Sequence, residues 1–199
     1  ESDVWSRPPV SSERPRPAPT PPSAETRECY AGLNRAGVEY SRLPVRDFGG
    51  GCVARDALQL RQVGTPTRNL GAMTCPLAAA YARWTREVLQ PAAQRHFGGQ
   101  VTLVETMGTY SCRRTAGTGR LSEHGTANAV DIGGFTIDGE RRITVLAGWN
   151  DDDSRVRQFL RDLHAGGCRT FSIVLGPDAN ADHRDHFHFD MGSRGPYCR

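Results

Sequence analysis

Apolar residues fall at helical spacing most clearly between positions 74 and 97, where Leu77, Tyr81, Trp84, Val88 and Leu89 repeat on one face. Thr74 stands where an N-cap belongs and Pro76 falls early, so the pattern predicts a helix over residues 74–97 that Pro91 kinks or divides. A second helix is predicted over residues 153–164, with Val156, Phe159, Leu160 and Leu163 on one side. A short helix over residues 28–37 is expected to stop at Gly37. Elsewhere the apolar positions gather in short runs, and residues 101–105, 129–132, 142–146, 170–175 and 186–190 read as strands. In the last run, alternation sends Phe187 and Phe189 toward the core and His186, His188 and Asp190 to the opposite face. Gly49-Gly50-Gly51 reads as a loop. Helices gathered early and strands gathered late predict an α+β fold, a mostly antiparallel sheet flanked by helices.

The periodicity is absent from residues 1–25. There Pro8, Pro9, Pro15, Pro17, Pro19, Pro21 and Pro22 alternate with Arg, Ser, Thr and Ala around a lone aromatic, Trp5. Such a segment buries too little apolar surface to offset its ordering entropy, so a disordered, locally polyproline-II linker is expected. A ligand for a proline-recognising partner or wall polymer is the alternative. The globular domain is expected over residues 26–199, and no internal repeat is found.

A chain of 199 residues with a net charge of +3 is long enough for one core and too weakly basic to imply nucleic acid. No stretch approaches the ~18 apolar residues of a membrane helix. No apolar leader core opens the chain, so a processed or truncated chain is expected, and a monomer. The six cysteines, Cys29, Cys52, Cys75, Cys112, Cys168 and Cys198, lack the close spacing of a zinc knuckle or redox motif. Three structural disulfides in an oxidising compartment are expected, with the pairing open.

The chemistry-bearing residues concentrate in two places. His124 and Asp131 stand seven positions apart, with the small residues Gly125, Ala127 and Ala129 between them. Residues 182–190 read DHRDHFHFD and hold His183, His186 and His188. Two imidazoles and a carboxylate suit one divalent ion: hydrolytic zinc sites commonly use three such ligands and leave a position open for water. Zinc in that setting lowers the pKa of water to roughly 7 and polarises a carbonyl. The chain therefore reads as a metallohydrolase that takes Zn2+.

The run Ser122, His124, Ala127, Ala129, Asp131 resembles the Ser-x-His-x-x-Gly-x-Ala-x-Asp signature of zinc peptidases in the lysostaphin, D-Ala-D-Ala carboxypeptidase and hedgehog superfamily. Asp185-His186-Phe187-His188 resembles its second element, and the spacing of His183, His186 and His188 is similar to that of penicillin-insensitive murein endopeptidases. Thr109-Tyr110-Ser111-Cys112-Arg113, Gly119 through His124, Val174-Leu175-Gly176-Pro177 and Tyr197-Cys198-Arg199 together resemble the bacterial extensin-like C-terminal domain family over about residues 29–199. That family name reflects proline-rich wall proteins and is not an activity. The resemblance implies His124, Asp131 and His188 as zinc ligands and Asp185 as general base. His186 becomes the better base if strand geometry begins before Asp185; a turn at Arg184-Asp185 favours Asp185. Arg113 would lie near the scissile carbonyl, with Arg114 beside it leaving the register open, and His183 would assist. The implied substrates are peptidoglycan stem peptides in the periplasm or cell envelope, cut by an endopeptidase. The competing reading is a wall-binding protein that keeps zinc and has lost catalysis.

The remaining polar clusters have structural explanations. Asn150-Asp151-Asp152-Asp153 could take calcium but suits a helix N-terminus, and Asp178 to Asn180 suits a turn. His96 and His164 fall near helix ends. Gly49-Gly50-Gly51 lacks the lysine and strand–helix context of a phosphate loop.

Overall fold

A computed structural model describes residues 21–115 and 117–199. The Pro-rich segment expected over residues 1–25 lies, up to residue 20, outside the described residues. The first helix, expected over residues 28–37, starts earlier: Ser23 caps α1 (Ala24–Arg35) by accepting from the Thr26 amide.

Residues 39–74, largely unassigned from sequence, contain short strands. These are β1 (Glu39–Arg42), β2 (Arg46–Asp47), β3 (Val53–Ala54), β4 (Ala57–Gln62), β5 (Thr67–Arg68) and β6 (Met73–Thr74). They form a small sheet in the order β1-β4-β6 and a β2–β3 hairpin. The hairpin loop needs its glycines, since Gly49, Gly50 and Gly51 all have positive φ.

The long helix starts as expected. Thr74 Oγ1 accepts from Leu77 N at the head of α2 (Cys75–Trp84), with Pro76 in the first turn. Its interruption is a π turn at Thr85–Leu89, upstream of Pro91, followed by α3 (Gln90–Phe97). The wider turn, in which Gln90 N bonds to Thr85 O, makes room for the proline without ending the rod.

The main sheet has seven strands in the order β12-β10-β11-β8-β7-β5, with β9 paired to β8. Its strands are β7 (Val101–Gly108), β8 (Ala129–Ile137), β9 (Arg141–Thr144), β10 (Ile173–Leu175), β11 (Phe187–Asp190) and β12 (Tyr197–Cys198), joined by β5. Only β5–β7 and β10–β12 pair in parallel, so the sheet is mostly antiparallel and the fold α+β. The strand expected over residues 142–146 ends earlier, because Thr144 caps a short helix α4 (Val145–Gly148). Helix α5 (Ser154–Thr170) runs past residue 164 into the expected strand, which begins only at Ile173. No helix among the described residues is long and apolar enough to cross a membrane.

One face of the main sheet packs on the helices. Val130, Ile132 and Phe135 of β8 and Phe187 and Phe189 of β11 are fully buried with Trp84, Phe159 and Leu163. Trp84 meets Phe189 edge-on at 5.2 Å and its indole N–H donates to the Leu163 carbonyl at 3.2 Å. Gly167 lets α5 approach: a Cβ there would lie 2.8 Å from the Phe189 ring. The opposite face is left for chemistry. Disulfides join Cys29–Cys75, Cys52–Cys112 and Cys168–Cys198, the last tying the C-terminus to α5.

Candidate metal centre

Strands β8 and β11 lie side by side with His188 directly opposite Asp131. Strand alternation sends their apolar neighbours to the core, so these two polar side chains share the outer face. His124 comes from a 3-10 turn at Glu123–Thr126, where Ser122 Oγ accepts from the His124 amide. Ala127 closes the turn in the left-handed region, with φ 59°. All three side chains are nearly buried, and one donor atom from each lies within 4.8 Å of the others.

Hydrogen bonds decide which ring atoms face inward. The Thr109 carbonyl can only accept, so His124 Nδ1, 2.9 Å away, donates to it and Nε2 is the ring nitrogen turned inward. That Nε2 lies 3.1 Å from Asp131 Oδ1, off-line for a hydrogen bond, and is buried without a partner. His188 is reversed. Its Nε2 donates to Asp190 Oδ2 at 2.7 Å, while Nδ1 lies 3.1 Å from the same Asp131 oxygen. A buried ring nitrogen set against a carboxylate oxygen without a hydrogen bond leaves both atoms available to a shared cation. The donor set of two imidazoles and a carboxylate, each fixed by an outer partner, fits zinc.

The electrostatics agree. Burial alone would raise the Asp131 carboxyl, but the facing imidazoles of His124 and His188 outweigh it and hold it far below the usual carboxylate range. Burial would likewise lower His188, but Asp131 and Asp190 on its two nitrogens raise it to about 9.

The other candidates surround this cluster. His186 Nε2 lies 3.7 Å from Asp131 Oδ1, and its Nδ1 bonds Asp185 Oδ1 at 2.8 Å. Residues 184–185 do form a turn ahead of β11, yet the Asp185 carboxylate is turned to His186 and is not among the three inner donors. Its hydrogen bond from His186 lowers its pKa. Arg113 Nη2 donates to Asp131 Oδ2 at 3.2 Å, its side chain half exposed. Arg114 turns away to the Gly119 carbonyl, so of the two arginines Arg113 is the one that reaches Asp131. His183 bonds Asn180 Oδ1 through Nδ1 at 2.7 Å, its ring 5.0 Å from that of His186. Burial, then the nearby His186 and His188, lower it to about 4, so it is neutral at pH 7.

Sequence reasoning placed Asp190 on the His188 face but assigned it no role. The Thr109 carbonyl was unreadable, because a backbone atom leaves no residue-type signal. The remaining polar clusters are structural. Asp153 caps α5 and pairs with Arg141 and Arg155, His96 pairs with Asp162, and Asp178 accepts from Trp149. His164 approaches Cys168 and Cys198, but their sulfurs are joined to each other.

The family described as extensin-like protein C-terminus matches residues 27–199. No curated protein and no solved structure matches the chain.

Proposed function

Starting from the extensin-like C-terminal family, to which this chain belongs, we propose that it is a zinc-dependent peptidoglycan peptidase, an endopeptidase of the cell envelope. One observation carries the reading: the partnerless His124 Nε2, buried against Asp131 and beside His188 Nδ1. His124 through Nε2, His188 through Nδ1 and Asp131 through Oδ1 would hold the ion. Zinc held there supplies Lewis acidity, which activates water and polarises a carbonyl near neutral pH.

The protein's own groups do the rest. His186 Nε2 faces the donor cluster, and Asp185 on Nδ1 fixes its tautomer and steadies its cationic form. His186 takes a proton from the attacking water and returns it to the leaving amine. Asp185 thus acts through His186. Arg113, reaching the centre with half its side chain exposed, donates to the developing oxyanion. His183, neutral at pH 7, adds a hydrogen bond to the substrate. Three disulfides fit an extracellular or secreted protein, where a wall substrate is at hand.

Zinc-loaded protein and a His188→Ala control should be incubated with purified crosslinked muropeptides and followed by mass spectrometry. Conversion of dimers to monomers by the zinc-loaded native protein alone is the expected result. Loss of one terminal residue would mean a carboxypeptidase. No cleavage with zinc bound would overturn the enzymatic reading in favour of wall binding.

A further inference from the structure

The sheet face that carries Asp131 and His188 continues beyond them. On β7, Glu105 and Met107 are two residues apart and share this face. Opposite them on β8 are Gly134 and Gly133. A Cβ on Gly133 would lie 3.2 Å from the Met107 sulfur, and one on Gly134 2.9 Å from a Glu105 carboxylate oxygen. Consecutive strand residues normally point to opposite faces. That both glycines face the same way marks a bulge, and the β7–β8 register shifts between Glu105 and Thr106. The bulge begins two residues past Asp131. It leaves a strip without β8 side chains, overlaid by Met107, which is 56% exposed.

Arginines stand at the far end of this strip. Arg142 of β9 reaches the Glu105 carboxylate through Nε at 2.7 Å and Nη2 at 3.4 Å, and Arg68 of β5 through Nη1 at 3.5 Å. The Glu105 side chain lies over Gly134 and is only 20% exposed, while Arg142 and Arg68 are 64% and 59% exposed. Two cations thus share one covered anion. A net positive charge, with guanidinium N–H donors unused, faces solvent beside the metal centre. Stability alone is a weak reason for the arrangement, since exposed ion pairs contribute about 0–1 kcal/mol each.

We propose that Arg68 and Arg142 form a subsite for a substrate carboxylate, with the intervening chain lying along the glycine strip against Met107. Gly134 stands three positions after Asp131, or ~10 Å at the rise of a strand. The ligand is therefore an acidic peptide whose carboxylate lies about three residues from the attacked carbonyl. This deepens the peptidase reading and rests on it for the cleaved bond.

The test uses a cleavage-resistant acidic stem-type peptide and the same peptide carboxamidated at that one position. Each is titrated calorimetrically into zinc-loaded protein. Charge-assisted hydrogen bonds predict ~10-fold tighter binding of the acid. Arg142→Gln and Arg68→Gln should bring the acid to the level of the amide, with zinc content and melting temperature unchanged. On a cleavable acid substrate, KM should rise with kcat unaltered. Equal binding of acid and amide by the native protein, or equal weakening of both in the variants, would overturn the subsite. An acid preference that the arginine variants abolish, in a protein that cleaves nothing, would leave the subsite standing and remove the peptidase reading. Cleavage without an acid preference would do the reverse.

Discussion

Zinc binding should release one proton from His188 near neutral pH. In the metal-free protein this imidazole sits between two carboxylates, donating Nδ1–H to Asp131 and Nε2–H to Asp190, with its pKa raised to about 9. Only the Nδ1 proton stands where the metal must bind. At pH 7.5, 1.5 units below that pKa, His188 is about 97% protonated, against ~10% for an ordinary histidine of pKa 6.5. Zinc must then displace about one proton, which weakens its apparent affinity by about 30-fold, or ~2 kcal/mol. Calorimetric zinc titrations in buffers of different ionisation enthalpy give the proton count directly. From pH 7 to 8 the apparent affinity should rise by almost tenfold as proton competition recedes. The same group makes a signed stability prediction. A raised folded-state pKa adds stability to the metal-free protein that is fully present below pH ~6.5 and lost as pH rises through about 9. A proton release near zero at pH 7.5, with affinity flat from pH 7 to 8, would refute this account of His188.

His186→Ala should lower kcat at least ~100-fold with zinc stoichiometry intact, and Asp185→Asn should cost less; the opposite ranking would make Asp185 the proton acceptor. Removing the Cys52–Cys112 bridge with serines should cost about 2–5 kcal/mol in thermal melts. It should also weaken zinc binding, because Cys112 adjoins Arg113 and Cys52 Sγ packs 3.4 Å from where a Cβ on Gly125 would lie, beside His124. Undiminished zinc affinity in that variant would show that the bridge does not hold the site. Gly166→Ala would push a Cβ into Val88 where α5 meets the π turn, so urea unfolding should register ~1–3 kcal/mol of destabilisation. A neutral effect would mean that this contact is not tightly packed.

Features set by neighbours in the chain were legible. Thr74 and Pro76 mark a helix start by local hydrogen bonding and a fixed φ, and the structure begins α2 at Cys75. The alternation in residues 186–190 sent Phe187 and Phe189 to the core, where both are fully buried. The short strands between residues 39 and 74 were not legible, because four of the six span only two residues and β4, the longest, buries Ala57, Leu58 and Leu60 without alternation. Helix α5 runs past its expected end through Gly166 and Gly167, helical positions whose missing side chains allow close packing on Val88 and Phe189.

The histidines and aspartates were visible as a set from residue type and spacing alone, as were the α+β class and an even complement of cysteines for disulfides. Only the folded chain decided how those pieces meet. The β8–β11 register sets His188 against Asp131 across 57 positions, and the sequence leaves such a register open. Outer partners chose the inward ring nitrogens: the Thr109 carbonyl turns Nε2 of His124 inward and the Asp190 carboxylate turns Nδ1 of His188 inward. The turn into β11 aimed Asp185 at His186 instead of the inner donors, and folding chose one cysteine pairing among those the sequence allowed. Residue chemistry is carried by the chain locally, whereas distance and orientation between remote groups exist only once strands have paired.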